Sequence, residues 1–365
     1  MEPEFSRTRA GSGIPTLIVC KPASVALLRE EMTAKLRDSG RSTSNPIERS
    51  GQGWVLTRAP VPPRPFVFER QRLPQVRCIQ GESRKALAES VWSEYAGALA
   101  DGGLSLHIFA PDAGEPRSLQ ARANGVAQAL TGMIGRSRQG EGQEERPAAN
   151  RKRVRILQLC LTTQGLFVSL EPMQKLSSPH PGGVHRAGLK GRAASRSAMK
   201  IEEALEEFEE SPKPGQRVID LGAAPGGWSE AFLRRGCRVT AVDRAQLRIQ
   251  DLDGLPGALE HLREDGLRFR PSPAEAPVDW LLCDMLVPPG VAQGLLRKWI
   301  EKRWTRRFVM NVKLPQRHAY SAVAPMEDYL GHADGVKAQM RQLHHDRREV
   351  TAWGMVSLEP SKKRR

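Results

Sequence analysis

Cysteine is scarce and scattered in this 365-residue chain. Cys20, Cys78, Cys160, Cys237 and Cys283 form no C-x-x-C pair and have no histidine at metal-ligand spacing, which argues against a structural zinc site and a disulfide framework. Cys20, Cys160 and Cys283 end the apolar runs TLIVC, ILQLC and WLLC, where a free thiol serves as a small buried hydrophobe and suits a reducing cytoplasm. Long apolar runs are also missing. No stretch approaches bilayer-spanning length, and the N-terminus has no signal-peptide core, so a membrane partner is not expected. Acidic residues are in deficit: 41 Asp and Glu face 56 Lys and Arg, for a formal charge of +15. That surplus favours a polyanionic partner, because each neutralised phosphate releases counterions.

The length fits two domains with a core each. Residues 1–15 read as a flexible leader. From Thr16 to Leu176 strand-like and helical stretches follow one another as small α+β units: TLIVC, SVALLREEMTAKLRD, FVFERQRL, QVRCIQ, SRKALAESVWSEYAGALA, LSLHIFAP and SLQARANGVAQALTGMI. The segment Gly135–Arg153 lacks apolar periodicity and reads as a solvated loop, and VRILQLCLTTQGLFVSLEP reads as two strands joined near Thr163–Gly165. A Pro/Gly/Ser-rich connection begins near Ser177, where the domain boundary is expected. Residues 177–358 then read as a doubly wound α/β sheet with strands RVIDL, RVTAVD, VDWLLCDM and RRFVMNVKL. Helices are expected at AMKIEEALEEF, GGWSEAFLRR, GVAQGLLRKWIEKRW and MEDYLGHADGVKAQMRQLHH, and residues 359–365 form a basic tail.

The turn after RVIDL, from Gly222 through Ala224, Pro225, Gly226 and Gly227 to Trp228, lets backbone approach a ligand and leads into a helix N-terminus. It is neither a dinucleotide fingerprint, since Ala224 stands where G-x-G-x-x-G requires glycine, nor a P-loop, since no G-K-[ST] follows. Asp243 lies 21 residues beyond Gly222 at the end of the second strand, where an acid accepts from both ribose hydroxyls. Asp265 is placed at the end of the third strand, within reach of an adenine amino group, and Asp220 is counted with them. S-adenosylmethionine fits this set better than NAD or ATP, because it offers hydroxyls and an amine and has no phosphates to cradle.

Two further strands end in charge, Asp284 after WLLC and Lys313 within NVKLP. A lysine flanked by apolar residues calls for a carboxylate, and Asp284 is the expected partner. Lys200 and Glu349 complete a Lys-Asp-Lys-Glu set if their elements flank the same sheet edge. Such a set activates a ribose 2′-hydroxyl, with one lysine as base and its pKa lowered by the other. From position alone, two unrelated surface ion pairs remain the simpler reading. A cytosine-C5 enzyme is disfavoured because no Pro-Cys pair occurs, and an amino-methylating enzyme because the prolines of CDMLVPPG come too late.

Taken together, SRSAMKIEEAL, VIDLGAAPGGW, LREDGLRFRP, CDM, NVKLP and HHDRREV resemble the large-subunit ribosomal RNA ribose 2′-O-methyltransferase M family, among the FtsJ-type Rossmann-fold RNA ribose methyltransferases. The resemblance spans about Ser195 to Val350. It is looser over the first half, which resembles a ferredoxin-like piece followed by a THUMP RNA-binding domain. The resemblance implies Lys200, Asp284, Lys313 and Glu349 as catalytic tetrad, with Lys313 as proton acceptor. It implies Ser197, Ala224, Pro225, Gly226, Gly227, Asp243, Asp265 and Asp284 as S-adenosylmethionine contacts, Ala224 replacing a cysteine common in the family. It further implies methylation of a cytidine ribose in the peptidyl-transferase loop of 23S rRNA, on protein-free or precursor RNA in the cytoplasm, without a metal. A transfer-RNA ribose methyltransferase and a non-catalytic RNA-binding assembly factor are the rival readings.

Overall fold

A computed structural model describes residues 13–37, 46–100, 104–111, 117–140, 155–185, 196–249 and 252–359. Of the leader only residues 13–15 are described, and of the basic tail only Glu359. The chain divides into two units, Met1–Val184 and His185–Arg365. The division falls after the expected Ser177 because the connecting residues are tied to the first unit. The Gln71 side chain donates to the Ser178 carbonyl (3.0 Å), and Arg70 donates twice to the Gly183 carbonyl (3.2 and 3.1 Å).

The first unit holds β1 (Thr16–Val19), α1 (Val25–Arg37), β2 (Arg49–Gly51), β3 (Trp54–Thr57) and β4 (Gln71–Leu73), which make a sheet in the order β2-β3-β1-β4. It continues with β5 (Arg77–Ile79), α2 (Arg84–Ala100), β6 (Leu104–Phe109), α3 (Arg117–Gly140), β7 (Arg155–Thr162) and β8 (Gly165–Pro172), whose sheet order is β5-β8-β7-β6. Apolar residues of α2 and α3, Leu87, Val91, Val126 and Leu130 among them, pack on Leu157, Leu159 and Val168. Two expectations change. In FVFERQRL only Gln71–Leu73 pairs as strand, because carboxylates capture the preceding backbone: Val67 and Phe68 donate to Glu31 (2.7 and 3.1 Å) and Phe66 to Glu69 (3.2 Å). The stretch read as a loop from Gly135 begins as helix, with α3 running to Gly140; its remainder lies outside the described residues.

The second unit comprises α4 (Arg196–Phe208), β9 (Arg217–Leu221), α5 (Gly227–Leu233), β10 (Arg238–Val242), β11 (Ala258–Leu262), β12 (Val278–Cys283), α6 (Pro289–Glu301), β13 (Thr305–Lys313), α7 (Ala319–His332), β14 (Val336–Arg341) and β15 (Glu349–Val356). Seven strands run in the order β11-β10-β9-β12-β13-β15-β14; the first five are parallel, and β15 is antiparallel to both neighbours. The connections reverse direction between β9 and β12, the switch point at which open α/β sheets bind ligands beyond the strands' carboxyl ends. Trp280, fully buried on β12, meets the rings of Phe232 and Phe208 edge-on at 5.4 and 5.9 Å and anchors the core. The stretch read as one helix from Met326 to His345 is instead the end of α7 followed by β14. Ala333 leaves the helix in an extended conformation and Gly335 takes φ +70°, which turns the chain back into the sheet. Among the described residues no helix is long and apolar enough to cross a membrane.

Candidate active site

The turn after β9 owes its glycines to close approach. Gly222 has φ +74°, and a Cβ there would lie 2.2 Å from the Met285 side chain. Gly226 has φ +115°, and a Cβ would lie 2.6 Å from Ile249. Met285 directly follows Asp284, so the glycine turn and the end of β12 touch. The Asp243 carboxylate braces the turn by accepting from the Ala224 N–H (3.0 Å) and the Ala245 N–H (2.8 Å). Each oxygen keeps a lone pair, enough for two ribose hydroxyls.

The three acids grouped by sequence part company in space. Asp220 points into the protein and accepts from the Ser229 hydroxyl at 2.6 Å; burial pushes its pKa up to about 7. Asp265 does not close β11, which ends at Leu262. It caps the Leu267 N–H (2.9 Å) and pairs with Arg244 (3.1 Å). Asp243 alone sits immediately after its strand. Trp228 is buried, and its indole N–H donates to the Ser197 carbonyl at 2.9 Å, so these two residues join α4 to the turn. The Pro225 carbonyl accepts from the Arg248 N–H at 2.7 Å, and Gly227 opens α5.

The four charged residues do meet. Lys313 ends β13 and stands opposite Glu349, the first residue of β15. Its ammonium donates to Asp284 just beyond β12, to Glu349 at 3.1 Å and to the Asn311 side-chain oxygen at 2.6 Å. Lys200 on α4 reaches the other oxygen of Glu349. Lys200 and Glu349 are nearly buried, at 7% and 8% exposure, so two cations and two anions balance in a poorly hydrated place. The order of effects on Lys313 reverses the expectation of a lowered pKa. Burial would lower it, but Asp284 and Glu349 outweigh burial and hold it above the ordinary lysine value. Glu349 is also buried, yet Lys200 and Lys313 keep it below the ordinary carboxylate range.

Sequence reasoning missed the support behind this set. Asn311 shares a strand face with Lys313, two residues on, and its amide N–H₂ donates to Asp346 (2.9 Å) and to the Thr351 hydroxyl (3.2 Å). All three are buried, and burial pushes the Asp346 pKa up. Glu203 on α4 receives the His344 and His345 N–H groups at 2.5 and 2.8 Å and the His345 ring at 2.7 Å, fixing the turn that carries Asp346. The i, i+2 spacing of Asn311 and Lys313 was the available signal.

Residues 193–303 match the FtsJ-like methyltransferase family. Ribosomal RNA large subunit methyltransferase M of Laribacter hongkongensis is 32% identical over 324 residues, covering 84% of this chain and 87% of that protein. The chain belongs to the ribosomal RNA large subunit methyltransferase M family. The family member of Methylococcus capsulatus is 43% identical over 187 residues, 48% of this chain and 51% of its own. Among solved structures, magnesium protoporphyrin IX methyltransferase from Synechocystis PCC 6803 is similar with a TM-score of 0.33 at 14% identity, covering 44% of this chain and 79% of that one. S-adenosylmethionine is the methyl donor of FtsJ-like enzymes. The residues at the turn fit it: the Asp243 carboxylate accepts hydroxyls and would repel phosphates, and the turn carries no lysine.

Proposed function

We propose that the protein methylates the 2′-oxygen of a cytidine ribose in the peptidyl-transferase loop of 23S rRNA, before the large subunit is assembled. The observation that carries the reading is Lys313 held between Asp284 and Glu349 at the switch-point end of the sheet, with Met285 joining Asp284 to the glycine turn. The names of the relatives support a large-subunit rRNA substrate.

Bound S-adenosylmethionine supplies an electrophilic methyl carbon. Asp243 would accept its ribose hydroxyls, the backbone from Ala224 to Gly227 would line it, and Asp265, Ser197 and Asp284 would supply its remaining contacts. Lys313 in its neutral form would take the proton of the 2′-hydroxyl as the oxygen bonds the methyl carbon and its bond to the sulfonium sulfur breaks, with S-adenosylhomocysteine as the leaving group. Asp284 and Glu349 then stabilise the ammonium that forms, and Lys200 holds Glu349 in position. The first unit, read as ferredoxin-like and THUMP regions, captures the RNA.

Timing follows from access. A ribose inside the folded subunit is closed to a protein that must bring Lys313 within hydrogen-bond reach, whereas looped single strands can be splayed outward. Protein-free 23S rRNA, precursor particles, mature subunits and transfer RNA are offered in parallel with labelled cofactor. Transfer to the first two and none to mature subunits is expected. Preference for mature subunits overturns the timing, and a response to transfer RNA alone overturns the substrate.

A further inference from the structure

Far from the tetrad, the segment Arg297–Arg307 (RKWIEKRWTRR) carries six basic residues and one acid across the end of α6 and the start of β13. Four of the six have carboxylate partners: Arg297 with Glu301 (2.7 Å), Arg303 with Asp334 (3.5 Å), Arg306 with Asp279 (3.9 Å) and Arg307 with Glu210 (3.0 Å). Among the described residues no carboxylate pairs with Lys298 or Lys302, nor with Arg270, which the fold brings beside them.

The indole of Trp304 organises this group. The Arg270 guanidinium lies 5.9 Å from its ring centroid and the Lys298 ammonium 5.8 Å, so two cations share one aromatic ring. One guanidinium nitrogen of Arg270 is fixed by the carbonyls of Leu267, Arg268 and Phe269 (3.2, 2.9 and 2.6 Å), which leaves the outer edge of the fork for other acceptors. Lys298 is held below its ordinary pKa, first by desolvation and then by the charges of Arg270 and Lys302. Crowded like charges disfavour the folded state by themselves and are relieved by an anion.

The patch stands at the opposite end of the sheet from the chemistry. Trp304 precedes the first residue of β13 and Lys313 is the last, and nine strand residues at about 3.3 Å each set the two roughly 26–30 Å apart. An anion there cannot belong to the nucleotide at Lys313. We infer that Arg270 and Lys298, gathered on Trp304, together with Lys302 one helical turn beyond Lys298, form a second contact for the RNA phosphate backbone, engaging a segment of the substrate remote from the methylated ribose. This rests on the rRNA substrate proposed above. The contact reads charge and not sequence, so it adds affinity and orientation for a large folded RNA.

The test uses the full chain and protein-free 23S rRNA, with affinity measured at several salt concentrations between about 50 and 200 mM. One variant combines Arg270→Gln, Lys298→Gln and Lys302→Gln. A second removes equal charge from cations of the same unit that already have carboxylates, combining Arg234→Gln, Arg235→Gln and Arg307→Gln. The slope of log affinity against log salt should fall by roughly 2–3 in the patch variant, at about 0.7–0.9 for each contact, and by less than about 1 in the second. Affinity for S-adenosylmethionine should equal wild type in both, which also certifies that they are folded. A slope unchanged in the patch variant, or matched by the second variant, overturns the patch while leaving the methylation reading in place. Failure of the wild-type protein to bind 23S rRNA overturns both.

Discussion

Glu349 faces Lys313 directly across the β13–β15 register and also holds Lys200 on its other oxygen. One carboxylate therefore sets the position of two ammoniums, and an antiparallel edge added to a parallel sheet brings it there. The parallel strands alone would leave Lys313 with Asp284 and no second anion.

Replacing Lys313 by alanine should reduce methyl transfer by about 10²–10⁴-fold, the range for loss of a general base. Its ammonium touches Asp284, Glu349 and Asn311 and no part of the glycine turn, so cofactor affinity by calorimetry should stay within about twofold. Transfer within tenfold of wild type removes Lys313 from the role of base.

The raised pKa of Lys313 has a sign that kinetics can read. At pH 7.5 only about one lysine in 800 is neutral at the ordinary value of about 10.4, and a raised pKa makes neutral Lys313 rarer still. Single-turnover transfer should therefore climb with pH, about tenfold per unit, without levelling below pH 9. Glu349→Gln removes one of the two anions responsible and should move this limb to lower pH. It also strands part of a nearly buried charge set, at a cost of about 3 kcal/mol in stability. A rate that is flat from pH 7 to 9 contradicts the assignment.

Gly222→Ala tests the cofactor turn. The added methyl meets Met285, so the turn must shift, and cofactor affinity should fall about tenfold or more, equivalent to about 1.4 kcal/mol. Gly215 has a similar positive φ, +79°, with nothing within 4 Å of an added Cβ. Gly215→Ala shares the backbone penalty of about 1–2 kcal/mol and should bind cofactor normally. Equal losses of affinity in the two variants mean that conformation, and not the Met285 approach, shapes the turn.

Asp220 predicts an inverted pH dependence for a carboxylate. Its folded pKa of about 7 lies above the ordinary value, so its contribution is full below about pH 3.9 and is lost as pH rises through 7. Asp220→Asn keeps an acceptor for the Ser229 hydroxyl and removes the ionisation. Urea midpoints should show this variant gaining on wild type between pH 5.5 and 8.5. A constant difference places the ionisation elsewhere.

Much of the second unit was legible because its signals are local. An apolar strand running into a glycine turn, and charges terminating apolar runs, identify β9, β12 and β13 without tertiary information. The helix–strand error at Val336–Arg341 arose where VKAQMR, rich in good helix formers, joins the sheet edge through pairing with β15, a long-range event. Asp220 and Asp243 look alike in sequence; only the inward pleat of β9 separates a buried acid from one beyond its strand. The direction of the Lys313 shift was misjudged for a related reason. All four charges are readable in sequence, but only the register of β15 puts both carboxylates in direct contact with Lys313 and sets Lys200 on the other oxygen of Glu349.

Nucleoside analysis of methylated RNA separates a 2′-oxygen acceptor from every other acceptor atom. Protein-free 23S rRNA is incubated with the enzyme and labelled S-adenosylmethionine, digested to nucleosides and separated. Methylation of one cytidine ribose predicts label in 2′-O-methylcytidine at one position, absent with Lys313→Ala. Label on a base carbon or amine, or on several unrelated riboses, contradicts it.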